Sequence, residues 1–455
     1  MAIVEDLAGF VVRSSWDDLS EEMREILKAR ILDSIGCAIG ALDGAPVRMI
    51  REQISDFGGR ELCSMIGGGR TAPDLAALHN SAAVRYLDFN DSYLAQGETC
   101  HPSDNIAAVL AAAQYRVASG KDLLVGIAVA YQVHCRLSDE APVRARGFDH
   151  TVQGAYGAAA GVAKVLGLDE ERTANAIAIA GTCLNALRVT RTGALSQWKG
   201  LAAPWVAFSA AHVAFLAMRG VTGPREVFEG NKGFMDAIAG RFQIEWSSEA
   251  LDRIASTVIK KFNAEIHSQS ALEAAIELKQ DHGLEGRDVE RVEVDIFDVA
   301  YNIIGGGEEG DKTIVRTKEE ADHSLRYLVA VALLDGEVLP RQYEPDRIVA
   351  DDVQSLLRRI EVRPDDRLSA RFPQQHACGV RIHLKDGRLV SKDKDDYEGY
   401  HTRPTQWETL VEKFDRLSEG RTDASLRKEI VEAVASLEDL SVRDLTELLE
   451  RVDGR

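Results

Sequence analysis

The segment Leu87-Asp88-Phe89-Asn90-Asp91-Ser92 is followed, after a short loop, by Cys100-His101-Pro102-Ser103-Asp104-Asn105. Carboxylates, a hydroxyl and an imidazole are groups that transfer protons near neutral pH. Here they bracket a polar loop that runs into an Ala-rich stretch. A helical first segment would set Asp88 on one face with Asp91 and Ser92, through i, i+3 and i, i+4 spacing. Pro102 biases His101 toward an extended backbone and suits the first position of a helix after it. His101 then stands at a helix N-terminus, where the positive dipole end keeps the ring a neutral base and attracts anions. The spacing predicts an acid/base site for an anionic substrate. The alternative is a hydrogen-bonded helix–loop–helix corner with no chemistry.

Three further segments hold candidates. Gly147-Phe148-Asp149-His150-Thr151 puts a second histidine at the entry to a helix, either as an acid/base group or as a surface cap. Arg188-x-x-Arg191-x-Gly193 precedes Gln197-Trp198-Lys199-Gly200, and Lys199 enters an apolar stretch that offers it no neighbouring charge. Such a lysine either snorkels outward or meets an anionic ligand. Ile259 to Gln269 gathers Lys260, Lys261, Glu265 and His267 where the pattern is about to change, at an expected hinge, and hinges are where clefts form. No pair of these histidines has metal-ligand spacing on a helix, so they are read as acid/base or hydrogen-bonding groups and no metal is expected.

The elements that must position these residues are mostly helices. Ser20-Glu21-Glu22 opens one with a cap and an acidic first turn, and Met23, Ile26, Leu27, Ile31 and Ile35 continue its apolar face. Ser119 caps a helix through Ile127 and Tyr131, and Gly154–Leu166, Arg172–Leu184 and Trp205–Met218 are small-residue or apolar helices. So much Ala and Gly on apolar faces predicts close helix packing. Near residue 288 the period changes to that of strands: Val292, Val294 and Ile296, then Ile360 and Val362, then Val380, Ile382 and Leu384. Lys385-Asp386-Gly387-Arg388 predicts a hairpin, because Asp-Gly supplies a turn with positive φ. His323–Leu334 reads as a helix between these strands, Gly305–Gly310 as a flexible loop, and the chain returns to helices from Gln406, with Ser441-x-x-Asp444 as a capping box. The expected class is mostly α: a large all-helical domain built from 1–265 and 405–455, with a smaller α+β lid domain, 266–404, inserted.

At 455 residues, 45% of them hydrophobic, the chain has ample core for more than one domain. Its net charge of −19 argues against nucleic acid or an anionic membrane as partner, so isolated Lys and Arg in apolar segments become informative. No run approaches eighteen consecutive apolar residues, and no membrane span is expected. Met1-Ala2-Ile3-Val4-Glu5-Asp6 has no basic stretch, so no signal peptide is expected. The cysteines (Cys37, Cys63, Cys100, Cys135, Cys183 and Cys378) show no C-x-x-C spacing, which fits a reducing, cytoplasmic setting.

Taken together, the motifs resemble the MmgE/PrpD family, which holds 2-methylcitrate dehydratases, cis-aconitate decarboxylases and iminodisuccinate epimerases. The resemblance runs over nearly the whole chain: IGGG at Ile66, LDFNDSYLA at Leu87, HPSDN at His101, GFDH at Gly147, QWK at Gln197, KKFNAEIHSQSALEA at Lys260, HSLRYLVAVALLDG at His323 and DYEGYHTRP at Asp396. NAEIHSQSA is similar to the FPAEFHSQTA of the dehydratase branch. The resemblance implies a helical domain from both chain ends, an inserted lid, a homodimer and no cofactor. It carries Asp88, Ser92, His101, His150 and Lys199 into an active site, with Lys260 and either Glu265 or His267 from the hinge motif and Tyr301 from the lid. Asp91 joins them as a substrate-binding residue of the first motif. Ser92 stands where the family usually has Thr and keeps the hydroxyl. The resemblance implies a histidine near Glu265 in the decarboxylase branch, and a carboxylate there counts against decarboxylation.

The expected reaction is loss of water from a hydroxy-tricarboxylate. His101 and His150 are the base and acid in either order, and Lys199 and Lys260 offset the enediolate charge. Arg188 or Arg191 holds a second carboxylate. Asp88 orients His101 or holds the leaving hydroxyl, and Ser92 bonds substrate. Epimerisation of a dicarboxylate, decarboxylation, and a non-catalytic helical interaction protein are the alternatives.

Overall fold

The structure is a computed structural model and describes residues 2–454. Its contacts divide the chain into two compact units. The first takes the chain up to Arg188, then Gly200–Thr257, then Gln406 onward; the second takes Val189–Lys199 and Val258–Thr405. The first is helical and the second α+β, so the chain is mostly α with a smaller α+β portion.

In the helical unit, local signals set the helix starts. Ser20 Oγ accepts from Met23 N at 3.2 Å to begin Glu21–Gly40. Ser119 and Asp122 form a capping box at the start of Gly120–Glu140, and Ser441 and Asp444 form another at Val442–Glu450. Each satisfies N–H groups that a helix start leaves without partners. Gly120–Glu140 packs on Thr151–Leu166 so closely that glycine is required. A Cβ on Gly157 would lie 2.7 Å from the Ala130 carbonyl oxygen, and one on Gly161 2.7 Å from that of Gly126. Main chain meets main chain there, so the two helices act as one rigid slab.

Two expectations change in this unit. The segment from Leu87 to Ser92 is not helical: the helix Pro73–Tyr86 ends at Leu87, and Asp88 turns into the left-handed region at φ 55°. Asp tolerates that conformation better than most residues, because its short polar side chain bonds locally. Ser92–Leu94 is then a short strand paired antiparallel with Thr99–Cys100, so Asp88, Asp91 and Ser92 do not share a helix face. The second change concerns Trp198–Met218, which is long and apolar enough to cross a membrane by length and composition, although no such segment was expected. Its most apolar window is 56% buried within the protein, as a core helix would be.

In the α+β unit, four strands form a sheet in the order Ile360–Pro364, Val289–Ile296, Cys378–Leu384, Leu389–Lys394. The first pair is parallel and the others antiparallel. Val292, Val294, Ile296, Val380 and Ile382 are fully buried, which is the two-residue period made physical. The hairpin turns through Lys385–Arg388, with Gly387 at φ 87°. Helices Gln269–His282, Leu325–Asp335 and Asp351–Leu357 contribute the other side of this core.

Gly161→Leu is expected to lower stability by about 1–3 kcal/mol through overpacking. Gly9→Ala, in the helix Ile3–Arg13 with open space at the added Cβ, should raise it by about 0.5–1 kcal/mol. Urea unfolding midpoints of the two variants, read against the parent, check both signs.

Candidate active site

In the helical unit the site is built around His101. The Pro102–Asn105 turn follows it and leads into Ile106–Arg116, and His101 itself is near-extended at φ −124°, ψ 88°. Its ring is 7% exposed. Nδ1 lies 2.8 Å from the Asp91 carbonyl oxygen and 3.1 Å from Ser92 Oγ. A carbonyl only accepts, so Nδ1 carries hydrogen and the lone pair of the neutral ring falls on Nε2. His150 is the residue before Thr151–Leu166, and its ring meets that of His101 edge-on, with centroids 5.2 Å apart. Its Nε2 lies 3.7 Å from Asp149 Oδ1, while Arg188 Nη1 approaches Asp149 Oδ2 at 4.0 Å. Two imidazoles this close repel when both are cationic, so the doubly protonated pair is disfavoured.

Asp91 is fully buried and faces the protein interior. Oδ2 accepts from Tyr131 Oη at 2.8 Å and lies 3.9 Å from Arg30 Nε, and Oδ1 accepts from Ser103 N at 3.1 Å. Both oxygens are thus engaged by groups of the protein itself. Ser92 is likewise fully buried with its hydroxyl on His101. Asp88 accepts from Arg85 Nη1 at 2.7 Å, and Arg85 Nε reaches Asp104 Oδ1 at 3.7 Å. That ion pair spans three residues across the end of the preceding helix and accompanies its left-handed exit.

The α+β unit holds a second polar cluster. Lys199, 3% exposed, places Nζ 2.6 Å from Asp322 Oδ1 and 2.8 Å from His323 Nδ1. Lys318 Nζ donates to Asp322 Oδ2 at 2.8 Å. Lys199 therefore does not snorkel outward, and Asp322, distant in sequence, supplies a counter-charge. Burial alone would raise the Asp322 carboxyl, but Lys199, Lys318 and His323 hold it well below the usual range. With two ammonium groups on its oxygens, Asp322 is poorly suited to hold a metal. Glu265 accepts from His267 N at 2.8 Å and from His267 Nδ1 at 2.6 Å. Burial opposes its ionisation too, yet His267, His323 and Lys260 bring it down to about 2. Lys260 is fully buried near it.

Of the remaining expected residues, Arg188 stands by Asp149 in the helical unit, and Arg191 is buried in the other. Tyr301 begins the turn Tyr301–Gly305 and packs against the sheet core. A Cβ on Gly305 would lie 2.8 Å from the Tyr301 ring, so the ring uses the space that glycine leaves. Arg30, Arg85, Tyr131, Lys318 and Asp322 were not singled out from the sequence. Only Lys318 and Asp322 carried a local signal, an i, i+4 ion pair just before the Ser324-capped helix.

Comparison with known proteins adds an independent line. The family model for the MmgE/PrpD N-terminal domain matches residues 5–247, and that for the MmgE/PrpD C-terminal domain matches 262–439. A mitochondrial 2-methylcitrate dehydratase of Yarrowia lipolytica is 27% identical over 98% of this chain and 89% of its own length. The 2-methylcitrate dehydratase of Salmonella typhi is 28% identical over 84% and 83%. A human cis-aconitate decarboxylase is 28% identical over 95% and 91%.

Glu265 gives a pH signature. Its folded pKa, about 2, lies below the ordinary carboxyl value of 4.5. The stability from its ionised form is therefore complete above about pH 4.5 and is lost as pH falls toward about 2. Glu265→Gln should cost on the order of 3 kcal/mol at pH 7, with the gap to the parent narrowing through that acid window. Denaturant unfolding at a series of pH values measures it; a gap independent of pH would contradict the ion-pair account.

Proposed function

Because the chain belongs to the MmgE/PrpD family, we propose that it is a hydro-lyase that removes water from a hydroxy-tricarboxylate of the 2-methylcitrate or citrate type. The observation that carries this reading is the His101–His150 pair, with the tautomer of one ring fixed by a main-chain carbonyl. Dehydration next to a carboxylate needs a base for the carbon-bound proton and an acid for the departing β-hydroxyl. His101, with its lone pair on Nε2, is the base. His150, whose ring has the Asp149 carboxylate 3.7 Å away in support of its cationic form, is the acid. The base takes the proton as the C–H electrons pass into an enediolate. These electrons then form the new C=C bond while the C–O bond breaks, and the acid's proton leaves with the hydroxyl as water.

The enediolate is the largest energetic demand. Preorganised donors in such sites contribute about 3 kcal/mol each. We assign anion recognition to Arg188 in the helical unit and to Lys199, Lys260 and Arg191 in the α+β unit, each set to be tested by itself. Asp88 and Asp91 act through other groups, Asp91 by holding the carbonyl that orients His101. Glu265, bonded to His267, supports the dehydratase reading over decarboxylation, since the branch that decarboxylates is expected to have histidine near that position.

His101→Ala is expected to lower turnover of the preferred tricarboxylate by about 10²–10⁴-fold, with the circular dichroism and unfolding midpoint of the parent. Enoate absorbance, carbon dioxide release and solvent-deuterium incorporation, followed on citrate, 2-methylcitrate, cis-aconitate and an iminodisuccinate analogue, separate the reactions. Full activity of His101→Ala, or carbon dioxide as the product, would sink the assignment.

A further inference from the structure

Lys312 lies just beyond the Gly-rich run of the α+β unit, and no motif singled it out. It is only 6% exposed. Among the described residues none forms a hydrogen bond or an ion pair with its ammonium group, whereas the neighbouring lysines, Lys199 and Lys318, both bond Asp322. The backbone around it is fixed on both sides. Asp311 Oδ1 accepts from Thr313 N at 2.8 Å, closing a tight turn over Lys312. The Lys312 carbonyl accepts from Ser324 Oγ at 2.7 Å. Ser324 is also the cap of Leu325–Asp335, accepting from Tyr327 N at 3.3 Å. Lys312 is therefore clipped to the Asp322-His323-Ser324 turn at the start of a helix, where the dipole already favours negative charge.

The charges there are unequal. Asp322 accepts from both Lys199 and Lys318, one ammonium group on each of its oxygens. Lys312 adds a third cation. The acids that influence it, Glu309, Glu265, Asp322 and Glu320, make no ion pair with it, and burial outweighs them, pulling its pKa down. An ammonium set in a mostly buried side chain gains from a bonded anion more than one in open water does. A protein of net charge −19 with carboxylates to spare has left this cation unmatched.

Resting on the hydro-lyase reading above, we propose that Lys312 is a carboxylate-binding residue for the polycarboxylate substrate, selecting ligands that carry one more carboxylate than a dicarboxylate offers. When the anion binds, it supplies the counter-charge that the fold withholds, and the third carboxylate is read by a charge-assisted N–H···O bond. Asp322, already shared by two lysines, keeps the cluster from being so cationic that any anion satisfies it. Lys312 touches neither the transferred proton nor the hydroxyl in this account, so its effect falls on binding and choice of substrate.

The test compares the full-length parent with Lys312→Met and Lys312→Arg, titrating tricarballylate and glutarate by calorimetry. Tricarballylate should bind Lys312→Met about 10- to 100-fold more weakly than the parent, as expected for losing one hydrogen bond to a charged group. Glutarate should bind both alike, and Lys312→Arg should recover most of the loss. In turnover assays the loss should appear in KM with kcat nearly kept. Equal tricarballylate affinity in the parent and Lys312→Met, or an equal loss for both ligands, overturns the proposal. If Lys312→Met does not fold, amine labelling of the parent with an activated ester, read by peptide mass spectrometry, takes its place. Tricarballylate should protect Lys312, and unchanged labelling overturns the proposal. Tricarballylate binding that depends on Lys312, in a protein that dehydrates none of the tricarboxylates, would refute the hydro-lyase reading alone. Dehydration without any dependence on Lys312 would refute this inference alone, and a parent that binds no tricarboxylate refutes both.

Discussion

The buried carboxylate of Asp91 is the constraint on which the helical unit's chemistry depends. Removing a carboxylate from water costs several kcal/mol unless its lone pairs are met, and here Tyr131, Ser103 N and Arg30 surround it. Those partners come from the helix Gly120–Glu140, the turn after His101, and the helix Glu21–Gly40. One charge thereby ties three elements to a single point. The main-chain carbonyl of the same residue is the acceptor for His101 Nδ1. The packing of three elements and the orientation of the His101 ring thus run through one residue, by different atoms.

The two units manage buried charge in different ways. In the helical unit each of these cations has one or two carboxylates of its own: Arg85 lies between Asp88 and Asp104, Lys413 pairs with Asp33 at 2.6 Å, and Arg188 stands near Asp149. In the α+β unit a single carboxylate, Asp322, serves two lysines and a histidine. Matched pairs rigidify and give little to a ligand, whereas shared ones leave positive potential that an anion can use.

Much of this was legible in the sequence where the cause is local. Ser20, Ser119 and Ser441 announced helix starts because a hydroxyl or carboxylate three residues away satisfies N–H groups on the spot. Alternation at Val292, Val294 and Ile296 announced a strand, and Pro102 announced the backbone at His101. What escaped depends on partners distant along the chain. Lys199 and Asp322 are 123 residues apart, so nothing near the lysine in sequence announced the carboxylate that it bonds. Asp88 escaped for a different reason: nothing after Tyr86 is a glycine or proline, and the helix ends there through an aspartate that turns left-handed beside its own arginine. Asp91 was recognised as important, but its burial and its four-way engagement arise only once three elements meet.

The glycine contact between Gly120–Glu140 and Thr151–Leu166 reaches further than packing. His150 is the residue from which the second of these helices springs, and Tyr131, which holds Asp91, rides on the first. The spacing of two carbonyl-lined backbones therefore acts as a ruler for the distance between the two imidazoles. Its scale is covalent geometry and not side-chain choice. A side chain at position 157 or 161 would push the two helices apart and carry His150 and Tyr131 with them.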